Sequence, residues 1–190
     1  AQLPFWALSV YFFWKSINSN KKIDWILLGF FSALGFLSKY LFIYLLVSFF
    51  IYFILNLKKF KKLIPNCILS FLIFSALLTP HLIWLFENDF VTIFYGLNRS
   101  GLSDFHIANH FINPINFFIK QILLLVPFFI MFLVILKKLK FKFKAFNKKI
   151  LFLISINLIP FFLILLTSII TGAKIRTMWM TPFYLFLGTL

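Results

Sequence analysis

The sequence predicts an all-α fold, a polytopic bundle of transmembrane helices. Three observations carry this. The chain is 63% hydrophobic, with a mean hydropathy of +1.02, well beyond what a water-soluble domain of this size can bury. Several apolar runs reach the ~18 residues needed to cross about 30 Å of hydrocarbon. The runs also lack the alternation of barrel strands, which leaves helices as the way to satisfy backbone groups in lipid.

About seven spans follow in order: 1–14, 23–38, 41–57, 63–86, 118–136, 150–171 and 178–190, the first and last truncated. The chain starts and stops inside apolar runs, so it reads as a single transmembrane domain, 1–190, that is an internal fragment of a longer protein. Spans 23–38 and 41–57 are separated only by Ser38-Lys39-Tyr40, which predicts a tight helical hairpin or one long run broken by a turn.

Charge supports this division independently. The net charge of +15 could suggest nucleic acid, but the lysines fall in short loops between spans. Loops 15–22, 58–62 and 137–149 hold fourteen of the nineteen Lys and Arg residues. They alternate with the turn at Lys39, the polar segment 87–117 and the turn 172–177. By the positive-inside rule the basic loops are cytoplasmic, in a multi-pass inner-membrane protein that contacts membrane lipids and no nucleic acid. Without a turn at 38–41 the alternation would collapse. Segment 87–117 is then extracytoplasmic. Its mixture of Phe90, Phe94, Tyr95, Phe105 and Phe111 with polar residues predicts short interfacial helices, and Asn113-Pro114 is expected to open the next helix. The lone Cys67 supports no disulfide.

Chemistry-bearing residues gather at the outer end. Glu87 and Asp89 could serve as a base, bind a metal or position an acceptor; the competing reading is a helix cap or a solvated loop end. Asp104, His106 and His110 are the metal candidates, for a divalent ion. His106 and His110 share a face if that piece is helical, and ordinary interfacial histidines are the alternative. Lys39, Arg99, Lys174 and Arg176 lie on the side where the positive-inside rule makes cations less expected. They could bind a lipid phosphate or pyrophosphate, against the alternative of snorkelling to headgroups. Trp84, Trp179 and Tyr184 fit an interfacial aromatic belt, or a wall that stacks on a sugar. Pro80, Pro160 and Pro182 are expected to shape helices around a cavity. The chain has no phosphate-cradling Gly-rich loop and no G-x-S-x-G, so nucleotide-driven chemistry on the inner side is not expected.

Three segments resemble a known family. Gly29-Phe-Phe-Ser-Ala-Leu-Gly-Phe-Leu-Ser-Lys39-Tyr40 looks like the "GLxxGLxxLSKY" helix of bacterial membrane glycosyltransferases of the family 39 type, relatives of the protein mannosyltransferases and of the aminoarabinose transferase that modifies lipid A. Pro80-His-Leu-Ile-Trp84-Leu-Phe-Glu-Asn88-Asp89-Phe90-Val91 is similar to a "P-x-x-x-W-N-x-x-x-D-F-V" span end, with Glu-Asn in place of the usual residues and a compressed spacing. Lys174-Ile-Arg176-Thr-Met-Trp179-Met-Thr-Pro182-Phe-Tyr184 looks like a later segment in which Trp and Pro-x-Tyr open a helix.

The resemblance implies a GT-C fold, a polyprenyl-phosphate sugar donor, a lipid, glycan or protein acceptor, and an active site outside the inner leaflet. It also implies a catalytic acid in a first outer loop, expected upstream of Ala1. Lys39, Arg99, Lys174 and Arg176 then become candidates for the donor phosphate. Tyr40, His81, Trp84, Glu87, Asp89, Trp179 and Tyr184 become candidates for the cavity wall. A multipass transporter or lipid flippase is the alternative and calls for ionisable groups near span centres, which these spans nearly lack. A non-catalytic scaffold would explain the spans but not the outer cations.

Overall fold

A computed structural model describes residues 2–101, 106–138 and 148–189. Among them the chain is helical and has no strand. The elements are α1 (Gln2–Ser19), α2 (Lys22–Ser38), a 3₁₀ turn (Tyr40–Phe42), α3 (Ile43–Leu55), the single turn α4 (Leu57–Phe60), α5 (Ile64–Glu87), α6 (Val91–Arg99), α7 (Asn109–Lys138) and α8 (Lys148–Thr171). A 3₁₀ helix, Thr177–Tyr184, follows α8. Helices α5, α7 and α8 are long and apolar enough to cross a membrane, and Tyr40–Leu55 is a shorter apolar stretch. Their exposed faces carry large side chains such as Phe71, Leu72, Leu123, Ile130, Phe162 and Ile170, a surface suited to lipid rather than water.

Helix α1 packs on α2, α2 on α5, α3 on α8 and α7 on α8. Without a hydrophobic drive between helices in lipid, close approach depends on small residues. Gly29 of α2 lies directly against the Ser70 backbone carbonyl of α5, where an added Cβ would also come within 3.1 Å of the Ile73 Cβ. Gly35 leaves room for the Phe42 ring, which folds back under the end of α2. The core is aromatic: buried Trp6 meets Phe42 edge-on at 5.6 Å between centroids and Phe183 at 5.0 Å.

The corner between α1 and α2 is stapled by an ion pair that the sequence reading missed. Asp24 is buried, pairs with Lys15 at 3.0 Å and accepts a 2.6 Å hydrogen bond from the Ser19 hydroxyl. Asn20 turns the chain in the left-handed region (φ 53°) and accepts a 2.8 Å hydrogen bond from the Asn66 amide of α5. Asp24 is buried while Lys15 is partly exposed, so removing the lysine leaves a buried carboxylate without its counter-charge, whereas removing both does not. Lys15→Ala should therefore lower the thermal midpoint of the protein in detergent by more than the double variant Lys15→Ala/Asp24→Ala does. A double variant at least as unstable as the single would contradict this account of the corner.

Two boundaries differ from the sequence expectation. Helix α7 begins at Asn109, not at Asn113-Pro114. Its first turn is tied to the end of α8: the His110 ring bonds the Ile169 carbonyl at 2.8 Å, and the Asn113 amide donates to the Gly172 carbonyl at 2.7 Å. These bonds hold a helical turn ahead of a proline that would otherwise mark the start. Residues 177–184 form a 3₁₀ helix rather than an α-helical span, with Pro182 inside it. Proline has no N–H to give an α-helical ladder.

Candidate functional site

One end of the bundle collects the end of α2, the start of α3, the end of α5, α6, the start of α7 and the segment after α8. Ser38 closes α2 by donating to the Gly35 carbonyl at 2.7 Å, and Lys39 leaves the helix with extended backbone (φ −169°, ψ 127°). The ammonium of Lys39 comes to rest 5.8 Å from the centre of the Trp179 ring, a cation–π distance. Its surroundings hold its pKa below the ordinary lysine range, first through burial and second through the positive charge of Arg99. The Trp179 beneath Lys39 belongs to the segment after α8, and Lys174 of that segment bonds the Ser100 carbonyl next to Arg99, so Lys39 and Arg99, sixty residues apart in sequence, are gathered at the same end.

Arg99 closes α6. Its guanidinium lies 5.9 Å from the centre of the Tyr95 ring and donates to the Tyr95 hydroxyl at 3.2 Å. The next residue, Ser100, is buried and accepts from the Lys174 backbone N–H at 2.9 Å. The segment bearing Lys174 and Arg176 is held on both sides. Gly172 turns it with a left-handed φ of 70°, and a Cβ there would press on the His110 ring at 3.3 Å. Ser168 donates to the Ala173 carbonyl at 2.8 Å. The Arg176 carbonyl accepts from Trp179, the residue under Lys39. All four cations thus sit on elements joined by direct contacts. The Lys15–Asp24 pair is the one ion pair among the described residues, so none of the four has a carboxylate partner there.

Tyr40, His81 and Thr92 form a hydrogen-bonded group beside Lys39. The Tyr40 hydroxyl lies 2.8 Å from His81 Nε2 and 2.8 Å from the Thr92 hydroxyl. Trp84 stacks on His81 with centroids 5.9 Å apart and 14° between planes, leaving much of the indole exposed. Thr92 carried no sequence signal of its own; only its meeting with Tyr40 in space reveals it.

The remaining candidates separate. Glu87 and Asp89 are exposed, and their side chains have no hydrogen-bond or ion-pair partner among the described residues. They flank a corner in which Asp89 and Phe90 are both left-handed (φ 48° and 55°), closed by a 3.0 Å bond from the Phe90 N–H to the Leu85 carbonyl. Asp104 lies outside the described residues. His106 precedes α7 while His110 is inside it, so the two do not share a helical face, and no group of three metal-binding side chains occurs among the described residues. Tyr184 donates to Gln121 of α7 at 2.7 Å, which ties the 3₁₀ segment to the bundle.

Below the Tyr40 group, α2, α3 and α5 enclose an apolar cleft of about 610 Å³. Trp25, Phe36, Val47, Phe50, Phe74 and Leu78 are among its walls, and Ile43 and Leu82 line it near the cationic end. Leu82 follows His81 in sequence, and the Phe36 ring lies 5.5 Å from that of Tyr40. The cleft thus reaches the Tyr40–His81 group that adjoins Lys39, an arrangement suited to an anion carrying an apolar tail.

Residues 1–84 match the model of a family described as dolichyl-phosphate-mannose-protein mannosyltransferase. The match takes in the Gly29–Tyr40 motif, His81 and Trp84; Arg99, Lys174 and Arg176 lie beyond it. Neither a curated protein nor a solved structure matches the chain.

Proposed function

We propose, from the match of residues 1–84 to the dolichyl-phosphate-mannose-protein mannosyltransferase family, that the protein is a membrane glycosyltransferase of the GT-C type that moves a sugar from a polyprenyl-phosphate donor to an acceptor hydroxyl on the extracytoplasmic face. The observation that carries this reading is the half-buried Lys39 over Trp179, at the end of the bundle that also holds Arg99, without a carboxylate partner among the described residues and close to an apolar cleft. Burying a cation and placing it beside a like charge are both costly, and an anion relieves both costs. Lys39, Arg99, Lys174 and Arg176 hold the donor phosphate, and the cleft takes the prenyl chain. Tyr40, His81, Trp84, Glu87, Asp89 and Trp179 wall the space for sugar and acceptor. The basic loops at the opposite end face the cytoplasm of the inner-membrane protein.

In the reaction the acceptor oxygen forms a bond to the anomeric carbon while the bond from that carbon to the phosphate oxygen breaks. The bonding pair leaves with the polyprenyl phosphate, and the acceptor proton passes to a carboxylate base. The cations act where charge grows, on the departing phosphate, which is where fixed electrostatic stabilisation is most effective.

The test is sugar transfer by the full-length enzyme in vesicles supplied with a polyprenyl-phosphate sugar. Lys39→Ala and Arg176→Ala should each impair turnover, by roughly 10- to 100-fold if each removes a charge-assisted hydrogen bond to phosphate. Unchanged transfer by both variants at equal protein levels would show the phosphate site to be misplaced.

A further inference from the structure

Lys39 and Arg99 are brought to one end through the segment after α8, Lys39 over Trp179 and Arg99 next to the Ser100 that bonds Lys174; like charges so gathered repel, and their own elements do little to keep them together. Lys39 sits on extended backbone between two helices. Helix α6, which ends at Arg99, has no buried residue, so packing contributes little to fixing it. Hydrogen bonds tie it down near both ends. Near its C-terminal end the Ser100 carbonyl accepts from the Lys174 N–H. Near its N-terminal end the Thr92 hydroxyl meets the Tyr40 hydroxyl at 2.8 Å.

Tyr40 directly follows Lys39, and its hydroxyl also meets His81 Nε2 of α5 at 2.8 Å. One phenolic oxygen therefore joins three elements: the turn carrying Lys39, the long helix α5, and the helix carrying Arg99. A phenolic hydroxyl can donate one hydrogen bond and accept others, so it can serve both partners at once. Phenylalanine could keep the ring contacts with Phe36 and His81 but would lose both bonds.

We infer that Tyr40 is a positioning residue that preassembles the anion site, by fastening the Lys39 turn to the α6 helix so that Lys39 and Arg99 serve one bound phosphate. Ordering done before binding need not be repeated when the ligand arrives, and the affinity rises accordingly. This inference rests on the donor-phosphate reading above, but it makes a separate claim: whatever Tyr40 contributes to the wall for sugar and acceptor, it touches no phosphate and affects phosphate binding only through Lys39 and Arg99.

The experiment measures the affinity of the full-length protein in detergent for a short-chain polyprenyl phosphate and for the corresponding uncharged polyprenol. Tyr40→Phe should weaken phosphate binding about tenfold, the scale set by one or two lost hydrogen bonds, and leave polyprenol binding unchanged. Thr92→Val, which opens the same joint from the α6 side, should weaken phosphate binding selectively too, and it decides the matter alone if Tyr40→Phe does not fold. The double variant Lys39→Ala/Tyr40→Phe should bind phosphate no more weakly than Lys39→Ala, because the pair Tyr40 assembles is already broken. Wild-type phosphate affinity in Tyr40→Phe or Thr92→Val, equal loss of both probes, or multiplied effects in the double variant would each overturn the inference. If Lys39→Ala and Arg99→Ala themselves leave phosphate binding unchanged, the donor-phosphate reading falls with it. If they weaken binding and Tyr40→Phe does not, only the role of Tyr40 falls.

Discussion

Gly29→Ala should separate α2 from α5 and cost about 3 kcal/mol or more, the upper end of what overpacking imposes. The new methyl group would meet the Ser70 backbone carbonyl and the Ile73 Cβ at 3.1 Å. A flexible side chain could swing aside, but a carbonyl within a helix cannot move without shifting the helix. Because α2 and α5 bound the apolar cleft and deliver Lys39 and His81 to the same end, the variant should lose stability and donor binding together. Gly96→Ala on α6 is the matched control: nothing lies within 4 Å of a Cβ there, and alanine favours a helix over glycine by roughly 1 kcal/mol. Thermal unfolding in detergent separates the two. A wild-type midpoint for Gly29→Ala would mean that the helices do not approach as closely as described.

The second large effect concerns charge at the end of the bundle that holds Lys39 and Arg99. Loss of Lys39 or of Arg99 should abolish most of the preference for a phosphorylated over an uncharged polyprenyl chain, by roughly 10- to 100-fold for each. The pH dependence has a definite sign. Burial and the Arg99 charge both push the Lys39 pKa down. Phosphate binding is therefore full at pH values below the depressed pKa and falls as pH rises through it, earlier than an ordinary lysine near 10.4 would allow. Arg99→Ala removes the second cause and leaves the first. Its remaining phosphate affinity should persist to higher pH than in the wild type. A midpoint moved downward would show that Arg99 does not act on Lys39 through its charge.

The architecture was readable where charge and hydropathy reported the same boundary. The turn at Lys39 is such a place: two short apolar runs and the alternation of basic loops both require it, and α2 indeed ends at Ser38. The start of α7 was not readable, because the bonds from His110 and Asn113 to the end of α8 span 59 residues and leave no local mark. Pro114 pointed to the wrong residue for that reason. The Lys15–Asp24 staple was overlooked because a single acid inside a lysine-rich loop looks solvated, although a carboxylate facing a lysine across a tight corner was the available signal. Of the site, the residue types were legible but their associations were not. Lys39, Arg99 and Trp179 were each notable in sequence; that Lys39 lies over Trp179 and within the field of Arg99 depends on tertiary packing alone. Thr92, an unremarkable residue in an amphipathic segment, gains meaning only from the hydroxyl it meets.

The central claim is that the outer cations form an anion site at the mouth of an apolar cleft. Its most direct test is the ratio of affinities for polyprenyl phosphate and polyprenol, measured at neutral pH on the full-length protein and on the Lys39→Ala/Arg99→Ala variant. The account predicts a strong preference for the phosphate in the wild type and its collapse in the variant, with polyprenol affinity retained. An equal preference in both proteins would contradict it.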